Sequence, residues 1–341
     1  MSHVNQEKTI ARNLKVWGLI EHCSLIIGLA ISMLGTNALA QNYPERPIKL
    51  VIPWPAGGIT DLAGRIMAQR LAEKMGTPVV VENRAGAAAT IGAEFVARAQ
   101  ADGYTLLLAS AETHAIAPNL RARLPYDPQK DFAAIAPFAI NPFSLVSRPD
   151  FPATNIRELL AMVKSQPGKF SYSSAGLGST SQIAMETLKG LAGLDVLHAP
   201  FQGQAPAVAS LLGGQTDLQM LPAGSAVPLA AAGKVKVYAV TTHARYFNLA
   251  DVPALKEEGF DAMNFANFFG IVAPAGISSA ILQRLATDVS AVAQASETRA
   301  ALRKLGVDSY PSMTTQEFQK FLESERARWG VVIRAAGLKP E

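Results

Sequence analysis

The sequence predicts an α/β protein of two lobes, each built on a mostly parallel sheet flanked by helices, with a ligand cleft between them. Three observations carry this. Residues 48–110 and 170–222 both read as β-α-β-α-β. Each unit has a glycine turn between a strand and a helix, Gly57-Gly58 in the first and Gly176-Leu177-Gly178 in the second. Two extended runs, 138–147 and 235–242, fall where the chain passes from one lobe to the other and back. Two crossings make lobes that hinge.

In the first unit, Ile48–Ile52 is an apolar run of strand length. Leu62, Ile66, Met67, Leu71 and Met75 follow at helical spacing, and Gly76-Thr77-Pro78 ends that helix. Residues 78–81 form the next strand. The small-residue loop 83–90 then leads into a helix at 91–99, and Asp102-Gly103 turns into a strand at 104–109. The turn Trp54-Pro55-Ala56-Gly57-Gly58-Ile59-Thr60-Asp61 is the centre of this unit. A helix N-terminus presents unpaired N–H groups and the positive end of its dipole, so it holds anions. The same residues also fit an ordinary turn in which Thr60 or Asp61 caps the helix.

The second unit repeats the plan. Strands fall at 170–174, 196–199 and 217–221. The loop Ala175-Gly176-Leu177-Gly178-Ser179-Thr180 enters a helix with Ile183, Thr187, Leu188 and Leu191 on one face. Pro200-Phe201-Gln202-Gly203-Gln204 enters another, marked by Val208, Leu211 and Leu212. Ligands on such sheets lie beyond the carboxyl ends of the strands, where both glycine loops fall. After the second crossing, 268–273 is a strand back in the first lobe. Two amphipathic helices follow, marked by Leu282, Leu285, Val289 and Val292, and by Phe318, Phe321, Leu322, Trp329 and Val332. The division expected is a leader at 1–40, a first lobe at 41–141 and 243–341, and a second lobe at 142–242.

The leader is read from Lys8, Arg12 and Lys15, an apolar run at 25–34, and Ala38-Leu39-Ala40. A basic region, a short apolar core and A-x-A form a secretory signal, which places the mature chain in the periplasm. The run is too short for a permanent membrane span. Cys23, the single cysteine, lies in this leader, so cleavage after Ala40 leaves no thiol. Of the 31 basic and 27 acidic residues, three and two lie in the leader, which leaves 28 against 25. So small a net charge, evenly spread, argues against nucleic acid as a partner.

Few residues suggest chemistry. Gly176-Leu177-Gly178 has Ser181 where a dinucleotide fingerprint needs its third glycine. There is no P-loop, no H-E-x-x-H and no G-x-S-x-G, and His114, His198 and His243 share no metal-ligand spacing. No catalytic residue, metal or cofactor is therefore expected. His114, just past the strand 104–109, faces the cleft or is a structural histidine; a Ser110–His114 dyad has no acid to orient it. Trp54 and Phe201 stand in facing loops, as cleft aromatics or as core. Arg84 is a carboxylate clamp or a salt-bridge partner.

A run of collinear segments resembles the Bug family, the periplasmic solute-binding receptors of tripartite tricarboxylate transporters. The segments include Tyr43-Pro44-Glu45-Arg46-Pro47-Ile48, Trp54 to Asp61, Val79-Val80-Val81-Glu82-Asn83-Arg84-Ala85-Gly86, Asp102-Gly103-Tyr104-Thr105-Leu106-Leu107, Leu124-Pro125-Tyr126-Asp127-Pro128, Gly213-Gly214-Gln215 and Trp329-Gly330. The resemblance implies a type II periplasmic binding-protein fold that closes on a small organic carboxylate and hands it to membrane permease subunits. It assigns ligand contact to Ala56, Gly57, Gly58, Thr60 and Asp61, to Ala88 and Thr90, and to Ser174, Gly178, Ser179 and Thr180, with Phe201 and Gln202 in the other loop. Trp54, Ser110 and His114 complete the candidate set. Gln182 replaces a common histidine, and Phe201-Gln202-Gly203 replaces Tyr-Lys-Gly, which removes a hydroxyl and a positive charge. Those departures argue for a less highly charged ligand, aromatic or monocarboxylic.

The reading is a monomeric extracytoplasmic receptor that performs no chemistry. Its rivals are a secreted α/β hydrolase using Ser110 or Ser174, and a carboxylate sensor feeding a membrane kinase.

Overall fold

In the computed structural model, which describes residues 43–340, β1 (Ile48–Ile52) is the hub of the first sheet. The leader and Cys23 lie outside the described residues. β1 pairs in parallel with β2 (Val79–Asn83) and β3 (Thr105–Ser110), through an almost unbroken apolar run that is buried on both faces. Between β1 and β2 runs α1 (Ile59–Met75), which starts at Gly58 and ends where Gly76 turns left-handed. Its buried face is Ala63, Gly64, Met67, Ala68 and Leu71, while Leu62 points outward. The face is made of small residues because the backbone comes very close to the sheet. A Cβ on Gly64 would lie 2.6 Å from Ile52 Cδ1 and 2.8 Å from Leu108 Cδ1. α2 (Thr90–Ala97) joins β2 to β3, and a π turn (Glu112–Ile116) runs from β3 into α3 (Ala117–Leu120).

β4 (Phe132–Ser147) is the long crossing strand. Its first part pairs antiparallel with β9 (Ala266–Pro274), and its last residues pair antiparallel with β7 (Leu218–Pro222) and β8 (Lys236–Val240). Pro137 and Pro142, which would each remove a ladder N–H, do not interrupt the strand. The β4–β9 register slips between Ala134 and Ala136 and again between Pro137 and Ala139, so the irregularity absorbs the missing N–H. The run 235–242 is mostly strand β8 of the second sheet. The chain re-enters the first sheet at Ala266, after Thr241 and Phe265 have bonded across the junction.

The second sheet is centred on β5 (Ser171–Ser174), parallel to both β6 (Leu197–Pro200) and β7. Four helices pack here: α4 (Ile156–Ser165), α5 (Thr180–Ala192), α6 (Gln204–Leu212) and α7 (Ala223–Ala231). The hydrogen-bonded path is β2-β1-β3-β9-β4-β7-β5-β6, with β8 and the short β10 (Asp308–Ser309) also on β4. The two parallel trios fall where the repeated β-α-β-α-β pattern puts them. The crossing strands add antiparallel pairs, so the α/β sheet is mixed.

α8 (Ser279–Gln294), α9 (Ser296–Lys304) and α10 (Thr315–Ala335) complete the unit that begins at Arg46. α10 starts with a capping box between Thr314 and Glu317. It buries Phe318 edge-on to Phe268, and Trp329 edge-on to Phe265. Among the described residues no helix is long and apolar enough to cross a membrane.

Candidate functional site

The turn after β1 is held from within. Asp61, buried on α1, accepts from the Gly57 N–H at 2.9 Å, from Arg65 Nε at 2.9 Å and from Asn83 Nδ2 at 2.8 Å. Burial alone would raise its pKa. The bonds from Arg65, Gly57 and Asn83 outweigh that and keep it below the ordinary carboxylate range. Asn83 Nδ2 also donates to the Trp54 carbonyl at 3.0 Å. Gly57 has φ +85°, which only glycine adopts without strain. The braced turn aims the N-terminus of α1 at the junction of the two sheets. The N-cap is Gly58, which has no side chain to accept from the first-turn N–H groups.

A cavity of about 70 Å³ lies there. That is several times the ~10–15 Å³ one water needs. Trp54, Ala56, Gly58, Ile59 and Thr60 form one wall, and Ser179, Ser181, Gly203, Gln204 and Pro206 form the facing one. Asn141 and Phe143 of β4, Asn267 and Phe269 of β9, and Glu112 close the back. The two walls meet at the rim, where a Cβ on Gly203 would come within 3.1 Å of Pro55 Cγ.

Among the described residues, Glu112 is the only acidic or basic one lining the cavity. It is buried, and both its oxygens are occupied. Oε1 accepts from Thr180 Oγ1 at 2.5 Å, from the Thr180 N–H at 3.3 Å and from Asn267 Nδ2 at 3.0 Å. Oε2 accepts from Ser110 Oγ at 2.6 Å and again from Asn267 Nδ2 at 2.8 Å. Asn267 is fixed in turn, since its Oδ1 accepts from the Ala111 N–H at 2.9 Å. Three other lining residues hold buried polar atoms without a partner: Trp54 Nε1, Gln204 Nε2 and Asn141 Oδ1. Unpaired groups of this kind are costly in a finished core, so they mark a place for a ligand or water.

The structure therefore brings together Trp54, Ala56, Gly58, Thr60 and Ser179 from the candidate set. Gly57, Asp61 and Thr180 stand just behind them, the first two bracing the turn and the third bonded to Glu112. Ser110 gives its hydroxyl to Glu112 rather than to His114. His114 is a core histidine, bonded through Nδ1 to Thr113 Oγ1 at 2.8 Å and packed 5.0 Å from Phe132. Burial pushes its pKa down to about 3. Ser174 bonds His198 Nε2 at 2.6 Å, away from the cavity, and His198 stacks on Tyr172. Thr90 bonds the Ala87 carbonyl, and Ala88 lies nearest Gly178 at the edge of a separate hollow bounded by Arg121 and Lys339. Phe201 and Gln202 are outside the cavity wall, and their neighbours Gly203 and Gln204 are in it. Arg84 pairs with Glu82 and lies 3.5 Å over the Phe95 ring, so it is a structural partner.

Sequence reasoning missed Glu112, Asn141, Gln204 and Asn267. Two of these left a trace: Asn141 interrupts an otherwise apolar strand, and Glu112 is a lone acid three residues past the apolar run 106–109.

Two sheets joined by a through-running strand, with a cavity at their junction, form the fold of a solute-binding protein. The chain belongs to the family described as the tripartite tricarboxylate transporter family receptor, which it matches over residues 63–338. It is similar to the solved structure of the periplasmic binding protein BugD, with 33% identity and TM-score 0.83, covering 88% of this chain and 100% of that one. It is similar to Rpa4515 of R. palustris, solved with adipate, at 32% identity and TM-score 0.84 over 88% and 100% of the two chains. It is also similar to MatC of Rhodopseudomonas palustris, solved with bound malate, at 31% identity and TM-score 0.80 over 85% and 100%. The family is one of receptors, not enzymes.

Proposed function

We propose that this chain is an extracytoplasmic receptor that captures one small organic carboxylate between its two halves and delivers it to the membrane subunits of a tripartite tricarboxylate transporter. The observation that carries this is the N-terminus of α1, opening without a side-chain cap on a cavity that also holds the unpartnered donors Trp54 Nε1 and Gln204 Nε2. Main-chain amides, a helix dipole and two buried donors suit an anion without a cationic side chain. The adipate and malate in similar proteins support the same ligand class. In this reading residues 1–40 direct export to the periplasm, the halves at 41–141 with 243–341 and at 142–242 close as lobes, and the receptor acts as a monomer. A kinase-linked sensor would use the same cavity, and the family match favours transport.

Titration calorimetry on the mature chain against a panel of small mono- and dicarboxylates tests the reading. Saturable binding near one ligand per chain, with compaction in solution scattering, is expected. No binding by any acid, or turnover of one, would overturn it.

A further inference from the structure

The anion site at the start of the second half is already filled by this chain's own carboxylate. Glu112 takes both the N–H and the hydroxyl of Thr180, the first residue of α5. Four more amides of that glycine loop are committed within it. The Ala175 N–H goes to Ser181 Oγ, Gly176 N–H to Ser174 Oγ, Gly178 N–H to Gln182 Oε1 and Ser179 N–H to the Gly176 carbonyl. A ligand carboxylate finds donors at the α1 end of the cavity, but at the α5 end it meets Glu112.

Glu112 brings a carboxyl group that no cation among the described lining residues pairs with. Its five bonds come from neutral donors, so no cationic partner is paired with it. A second acceptor looks into the same cavity: Asn141 is 1% exposed and its Oδ1 has no partner. The rings of Trp54, Phe143 and Phe269 supply aromatic surface beside them. An acid, an orphan carbonyl oxygen and aromatic walls favour a cation and repel a carboxylate.

We infer that the ligand is zwitterionic, with its carboxylate at the N-terminus of α1 and an ammonium group facing Glu112 and Asn141. The inference rests on the carboxylate reading above and narrows it from organic acids to amino acids and related ammonium carboxylates. Glu112 is then the residue that sets which acids are accepted, by attraction for the ammonium and by repulsion of a second carboxylate.

Matched probes separate the possibilities. Calorimetry would compare succinate, butanoate, 4-aminobutanoate and butylamine, and then the longer pair adipate and 6-aminohexanoate. The wild-type chain is expected to bind at least one amino acid about tenfold more tightly than its dicarboxylate of equal length. The variant E112Q should lose most of that ratio, with a lower melting point without ligand because one of its two accepting oxygens becomes a donor facing Asn267 or Ser110. Should E112Q fail to fold, the wild-type ratio alone decides. Equal or tighter binding of the dicarboxylates would overturn the inference and leave the carboxylate reading standing. Binding of butylamine as tight as that of 4-aminobutanoate would overturn the carboxylate reading itself, as would no binding by any acid.

Discussion

Glu112 Oε1 sits 2.5 Å from Thr180 Oγ1, so an acid that follows a strand of the first sheet closes the N-terminus of a helix from the second. The contact is buried on both sides. It ties the two halves at the back of the cavity through a charge-assisted bond, which is stronger than a neutral one.

Replacing Thr180 by valine keeps the shape and removes the hydroxyl. Glu112 would keep the weaker N–H bond and lose its shortest one. A stability loss of about 1–3 kcal/mol is expected in urea unfolding, and Thr180→Ser should restore most of it.

Trp54→Phe removes the indole N–H and retains the ring. That N–H has no partner among the described residues, so unfolding midpoints should stay unchanged or rise slightly. Affinity for a bound acid should fall by about five- to tenfold, one hydrogen bond's worth. Calorimetry on ligand and urea curves without it read the two effects apart.

Gly224, at the start of α7, packs on the loop before β10. A Cβ there would lie 2.3 Å from the Leu305 carbonyl oxygen and 3.0 Å from Ile59 Cδ1. Both neighbours belong to the other half, and one is backbone. Gly224→Ala should destabilise the chain by about 1–3 kcal/mol through overpacking, visible as a lower unfolding midpoint.

His114 gives a pH dependence with a definite sign. Its ordinary value is 6.5, and burial holds the folded value near 3. Between those limits the unfolded chain binds a proton that the folded chain does not. Stability from this group is therefore complete above about pH 6.5 and falls as the pH drops toward 3, by roughly 1.4 kcal/mol per unit. The variant His114→Phe should show a shallower acid loss, measured as urea midpoints across pH 7 to 4 beside the wild type.

Most of the fold could be read from the chain because its two parallel trios follow apolar runs with glycine punctuation, a local signal. β4 was harder. Its prolines look like breaks in sequence, and only the slipped pairing with β9 lets them stay in a strand. The α1 turn was legible for the same local reason, and Trp54, Ala56, Gly58 and Thr60 all reach the cavity. The second-half loop carried an equally strong motif, yet five of its amides are consumed internally or by Glu112. No local pattern reveals that, because Glu112 and Thr180 are far apart in the sequence. Asn267 and Gln204 are hidden likewise, since ordinary polar residues gain their role only from what faces them.

β4 is one unbroken ribbon shared by both sheets, and Asn141 stands where its partners change from β9 to β7 and β8. In the lobe reading proposed above, a swing of one half against the other would flex the backbone beside Asn141-Pro142-Phe143. The Asn141 side chain looks into the cavity from that same point. A guest that grips it would load the pivot directly, so occupancy and flexure would be felt by the same peptide without an intervening relay.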